Sequence, residues 1–363
     1  MDPDVSRFEI AAAAGIDLGP ILEKRDRGEC VAAMSQAAPV FLAELVAEGR
    51  IEGVISLGGG GGTAIGTAAM RALPVGFPKL MVSTLASGNT APYVGTQDIV
   101  MMPSIVDVSG LNQVSRMVFS RAAGAICGMV ESRVEEDSDR PIVVASMFGN
   151  TTTLVSMARD LLEDAGYEVL VFHATGTGGQ TMESLIESGM VAGVLDVTTT
   201  EWADELVGGV LSAGPDRLDA MSRAKVPAVI APGCLDMINF GERDTVPPEL
   251  EQRAIYEHNP QVTLVRTSVE ECTDLGKILA RKAKANKAPT SILLPTRAIS
   301  VISAEGEAFH DPAADEALFD AIRQTAGVEV VELAVEINSE EFARACVEKL
   351  LELMGQKGSS AAS

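Results

Sequence analysis

From residue 142 onward the chain alternates short aliphatic runs with longer amphipathic stretches, and this rhythm restricts the fold more than any single motif does. The runs 142–146, 168–172, 192–197, 228–231, 291–294 and 329–333 are rich in Val, Ile and Leu. Helical periodicities fill the intervals at 151–165, 179–188, 201–210, 215–224, 269–286 and 313–325, and a last one covers 339–354. Such alternation predicts a parallel, doubly wound α/β sheet, because parallel strands need long crossovers and those crossovers are right-handed. A smaller version precedes it, with strands at 53–57, 79–83 and 99–102 and helices at 27–48, at about 63–73 and at 110–130.

Composition agrees. Hydrophobic residues make up 47% and aromatic ones 4%, so the cores must be aliphatic, as suits strands covered on both faces by helices. The charged run 134–141 (VEEDSDRP) has no apolar period and reads as a linker. The expected organisation is a first lobe at 1–138, a second at 139–355 and a flexible tail at 356–363.

A formal net charge of -23 argues against nucleic acid or an anionic membrane as a general partner. The five Cys at 30, 127, 234, 272 and 346 have no CxxC spacing and read as reduced thiols. No apolar run reads as long enough to cross a bilayer, and the acidic N-terminus has no secretory core. A cytoplasmic, membrane-free protein is expected.

Residues 54–67, VISLGGGGGTAIGT, run from a strand through five glycines into a helix. Gly58, Gly59, Gly60, Gly61, Gly62 and Thr63 could let an anion approach bare amides at a helix N-terminus. Glycine there could equally serve close helix–sheet packing. The stretch is no Walker A loop, since Gly62 stands where Lys is needed, and G-x-G-x-x-G fails in either register.

The other unusual loops all follow strands, at the carboxyl rim where open α/β sheets bind ligands. Asn150, Thr151 and Thr152 read both as helix caps and as anion contacts. His173 precedes Gly176, Thr177, Gly178 and Gly179, which offers either a general base beside a bound substrate anion or a plain rim histidine. Arg297 could hold a carboxylate in a fork or make a structural ion pair. Asp236 could be an acid/base or brace a loop. Cys234 could be a nucleophile only with a base beside it. His310 reads better as part of a capped turn before 313–325 than as a metal ligand, and no metal site is assigned. Trp202 could stack on a ligand or plug the rim.

In combination, LGGGGGT (57–63), STLASGNTAPYVG (83–95), MFGNTT (147–152), FHATGTGGQTMESL (172–185), TTTEWADELVGG (198–209), PGCLDMINFG (232–241) and EGEAFHDPAADEALF (305–319) resemble the Tm-1-like ATP-binding domain family, UPF0261. The resemblance covers about residues 3–355. It implies two Rossmann-like lobes, a homodimer, and an ATP site, with or without Mg²⁺, on the first lobe. It carries nucleotide contact over to Gly58–Thr63 and to Ser87, Gly88 and Asn89. Family members usually start with a further strand and a G-T-x-D-T-K-like turn, which this sequence lacks before Met1, so a β-sheet edge is expected to be exposed in the first lobe. Two functions stand against each other. One is an ATP-binding protein that acts on a small anionic metabolite between the lobes through His173, Arg297 and Asp236. The other is a non-enzymatic dimeric regulatory or protein-binding module stabilised by nucleotide.

Overall fold

The structure is a computed structural model, and residues 3–132 and 140–355 are described. The chain divides into two compact units, Met1–Asp137 and Ser138–Ser363. The linker at 134–141 lies mostly outside the described residues, and the tail at 356–363 wholly so.

The first unit begins with three helices, α1 (Arg7–Ala13), α2 (Leu18–Glu23) and α3 (Arg27–Ala47). A capping box at Ser6 and Glu9 starts α1, and Asp17 and Asp26 cap α2 and α3. The first two are too short for a periodic signal and were not expected. Contrary to the sequence reading, α3 is long and apolar enough to cross a membrane by length and composition. Its Ala33, Ala37, Ala38 and Leu45 are buried, and it packs on α1 and on α4 (Gly60–Arg71).

Strand β1 (Val54–Gly58) precedes α4; β2 (Lys79–Ser83), the short α5 (Ala91–Val94), β3 (Val100–Pro103) and α6 (Gln113–Glu131) follow. The three strands form a parallel sheet in the order β1-β2-β3. Alternation along β2 splits its side chains: Leu80 and Val82 pack with Val118, Ala122 and Ile126 of α6, while Met81 meets Met70 of α4. Strands β1 and β3 form the two edges of this sheet, and Ile55 and Leu57 of β1 are 40% and 41% exposed.

The second unit contains β4 (Ile142–Met147), α7 (Thr152–Asp164), β5 (Glu168–His173), α8 (Thr177–Glu187), β6 (Val191–Thr198), α9 (Glu201–Val207), α10 (Ala220–Ala224) and β7 (Ala228–Gly233). Next come β8 (Met237–Phe240), β9 (Ile255–Asn259), β10 (Val262–Arg266), α11 (Val269–Ala285), β11 (Thr290–Pro295), α12 (Pro312–Thr325), β12 (Glu329–Leu333) and α13 (Glu340–Gly355). Six strands form one parallel sheet, β12-β11-β7-β6-β4-β5. The chain steps from β4 out to β5, returns across β4 to β6, then runs on to β12. Its topological switch point therefore lies between β4 and β6.

Two aliphatic layers sandwich this sheet. Val144, Val194, Ile230 and Ile292 face the α8–α12 side, while Val143, Leu195, Val229 and Leu293 face α7 and α13. The fold class is α/β as expected, with two corrections. Residues 237–266 form a small antiparallel sheet, β8-β10-β9, where loops were expected. The helix expected at 215–224 shrinks to Ala220–Ala224, because Leu218 takes a left-handed backbone (φ 72°).

Candidate functional site

The five glycines divide into two kinds. A Cβ on Gly58 would lie 2.8 Å from the Gly62 Cα, so this glycine serves the tight strand-to-helix turn. Gly66, a turn later, serves packing, since a Cβ there would meet the Ser56 hydroxyl at 2.5 Å. Gly60 is different, with nothing within 4 Å of its Cβ position. Gly59 caps α4 without a side chain, and the amides of Gly60, Gly61 and Gly62 have no partner among the described residues. The close-packing reading of the turn thus holds for Gly58, while the start of α4 keeps backbone amides open.

Arg27, at the start of α3, places its Nη2 3.7 Å from the Gly61 Cβ position and makes no ion pair among the described residues. A guanidinium and a bare helix N-terminus together suit a phosphate. Next to them, a hollow of 490 Å³ opens at the carboxyl ends of β2 and β3, lined by Ser83, Thr84, Ser87, Ser104, Ile105 and Asp107. Thr84 joins the two features: its amide donates to the Gly58 carbonyl at 3.2 Å, and its hydroxyl lies 3.6 Å from the Gly59 Cβ position. Ile105, exposed on the rim, takes a left-handed backbone (φ 66°), a strained state for a β-branched residue.

Thr63 is corrected. It is fully buried, its hydroxyl 2.7 Å from the Ser83 hydroxyl, and staples α4 to β2 instead of facing a ligand. Ser87 lines the hollow, while Gly88 and Asn89 make the turn into α5, Asn89 accepting from the Ala91 amide at 3.2 Å.

The glycine loop of the second unit is filled from within. The Gly176 and Gly179 amides donate to Glu201 Oε1 at 2.7 and 3.1 Å, so a carboxylate of the chain occupies the head of α8. A Cβ on Gly179 would stand 2.2 Å from Glu201 Oε2, and one on Gly178 would stand 1.7 Å from the His173 carbonyl oxygen. As substrate contacts, Gly176, Gly178 and Gly179 are therefore corrected, while Thr177 remains exposed.

Glu201 belongs to a buried cluster around Arg217. The Arg217 Nε donates to Glu201 Oε2 at 2.6 Å, Nη2 to Asp196 Oδ1 at 2.8 Å, and Nη1 to Glu183 Oε1 at 3.1 Å. Glu183 also accepts from the Leu218 and Ala220 amides. Burial raises the Glu183 and Glu201 carboxyls, and Arg217 opposes that rise. Burial works against the Arg217 charge, but its acids hold it well above the ordinary range. The cluster is an internal brace, and sequence reasoning missed it.

At the switch point, Thr151 is buried with its hydroxyl 2.8 Å from that of Thr198, and Thr152 bonds back to the Phe148 carbonyl at 3.2 Å. The Asn150 carbonyl accepts from Asn338 at 2.9 Å. Thr151 and Asn150 thus tie loops together, while Thr152 is exposed and bonds only within its own turn.

The proposed catalytic set does not assemble. His173 ends β5 and stacks edge-on against Phe148, whereas exposed Arg297 follows β11. Four strand spacings separate β5 from β11, roughly 19 Å. Asp236 is fully buried, accepting from the Ser300 hydroxyl at 2.7 Å, and burial raises its carboxyl. Cys234 beside it is buried, and burial drives its thiol well above the normal range, which corrects the nucleophile reading. Trp202 plugs the core beneath Lys282, and Asp311 caps α12 as the capped-turn reading of His310 expected.

What the fold defines is a two-unit α/β protein with a Gly-headed helix over one parallel sheet and a buried ionic brace under the other. Models of the Uncharacterised protein family (UPF0261) match on both units, the N-terminal domain at residues 1–135 and the C-terminal domain at 140–354. The chain belongs to the UPF0261 family. It is 48% identical over 356 residues to a UPF0261 protein of Clostridium tetani (strain Massachusetts / E88), a match that spans 97% of this chain and 88% of that protein. To the ToMV resistance protein Tm-1(GCR237) of Solanum lycopersicum it is 43% identical over 337 residues, 90% of this chain but 45% of that longer one. The tomato ToMV susceptible protein tm-1(GCR26) is 42% identical over 342 residues, covering 92% of this chain and 45% of that protein.

Proposed function

We propose that this protein binds ATP, with or without Mg²⁺, by seating phosphates on the amides of Gly60–Gly62 beside Arg27. The observation that carries the reading is the glycine start of α4 with no side-chain cap, next to an Arg27 guanidinium with no ion pair among the described residues and a hydroxyl-lined hollow. The 490 Å³ hollow is large enough for part of a nucleotide. The reading stops at binding, because the residues considered for catalysis do not converge.

The test is Gly60→Asp. A carboxylate in the first turn of α4 favours the helix dipole but repels a phosphate. ATP is expected to raise the melting temperature of the native protein, and the variant is expected to keep its stability while losing that shift. An undiminished shift in the variant rejects the site, and no shift with the native protein rejects the function.

A second reading rests on a separate observation. The unpaired edge of β1 and its half-exposed Ile55 and Leu57 favour a protein contact, as in a nucleotide-stabilised dimeric module. Location in the cytoplasm belongs to the same proposal, supported by five free cysteines.

A further inference from the structure

The second unit holds a hollow of 350 Å³, partly lined by residues 308–312, that the ATP reading does not use. It opens where the N-termini of α11 and α12 come together, since both helices run back from the carboxyl edge of the six-stranded sheet. Arg253, Arg266, His310 and Asp311 bring charge or polarity to its wall, and Ala308 and Phe309 make it partly apolar.

The charged groups are fixed before any ligand arrives. Arg253 grips Glu271 through Nη1 and Nη2 at 2.6 and 2.9 Å, which leaves its Nε–H without a partner among the described residues. Arg266 is buried and fully engaged, donating to the Phe309 carbonyl, Thr267 and Asp315. Asp311 spends Oδ1 on the Ala313 and Ala314 amides and leaves Oδ2 without a partner among the described residues. The α11 and α12 heads are already capped by Ser268 and Asp311, so what the wall offers is a cationic N–H from Arg253 and a carboxylate oxygen from Asp311. A simple anion would meet Asp311 as a repulsive neighbour. A small carboxylate that also carries a donor satisfies both sides.

We infer that this hollow binds a small carboxylic acid bearing an adjacent amino or hydroxyl group, with the carboxylate on Arg253 and the donor on Asp311. The test titrates the full chain with L-alanine, L-lactate and propionate, which share size and differ in the donor. Calorimetry is expected to show saturable binding of alanine or lactate and at least about tenfold weaker binding of propionate. Ala308→Trp puts a bulky side chain on the hollow's wall at a residue that is itself in no ion pair, and is expected to abolish binding. Asp311→Asn keeps the helix cap, because Asn caps as well as Asp, and is expected to weaken alanine more than lactate. No saturable binding of alanine or lactate, equal binding of propionate, or binding that survives Ala308→Trp overturns the assignment. ATP-induced stabilisation is unaffected by these variants, so the two sites fail separately.

Discussion

Each unit places a glycine-rich turn between a strand and a helix, yet the two turns have opposite fates. At Gly58–Gly62 the first-turn amides of α4 have no hydrogen-bond partner among the described residues, and Arg27 reaches toward them. At Gly176–Gly179 the amides close on Glu201, whose charge is in turn shared with Arg217. The same local chemistry leaves a helix head open in one unit and makes an internal brace in the other. A glycine turn thus advertises an anion without saying whose anion it is.

The largest test of that contrast is Arg217→Met. Removing the guanidinium strands Glu183, Asp196 and Glu201 in the core, and about 3–5 kcal/mol of stability should be lost on urea unfolding of the second unit. A loss confined to a few tenths would show that the brace contributes little.

The helix that carries Glu201 also carries Asp204, which accepts from the Asn239 amide and side chain and whose carboxyl is pushed up to about 7 by burial. A folded value above the unfolded one means that the native state holds the extra proton. Stability from this group is complete at acid pH and drains away as pH rises through about 7. Asp315, pushed up to about 6 by burial, has the same sign. Through Asp204 alone, unfolding free energy should fall by about 4 kcal/mol between roughly pH 4 and 7, and Asp204→Asn should remove that part of the slope. An unchanged slope in the variant would remove Asp204 as its source.

Smaller effects separate the glycines themselves. Gly179→Ala drives a methyl into Glu201 and should cost about 1–3 kcal/mol by chemical denaturation. Gly60→Ala meets open space at a negative-φ helical position and should stabilise by about 0.5–1 kcal/mol. If both substitutions behave alike, the filled and open turns are not different structures.

Much of the fold was legible because it follows from local pattern. The six strands of the large sheet sit within a residue or two of the aliphatic runs, and Ser268 and Asp311 cap α11 and α12 as their residue types suggest. The antiparallel insert was not legible. Its β8 has four residues, and β9 (IYEHN) is polar because it is a mostly exposed edge strand. The site was less readable still. Arg217 lies in a turn between Asp216 and Asp219, yet its partners are not these neighbours but acids 34, 21 and 16 residues away. His173 and Arg297 looked alike as rim residues, since strand order, which sets them roughly 19 Å apart, is not written beside either of them.

By itself, the sequence determined the strand–helix alternation, the parallel sheets and the glycine-headed start of α4, because periodicity and backbone freedom act over a few residues. Only the tertiary structure decided which glycine turn stays open. That depends on β6 and α9 bringing Glu201 against the α8 loop, and on Arg217 arriving from a later turn to neutralise it. Burying such a charge is favourable only when all of its partners converge, and convergence is a property of the assembled sheet.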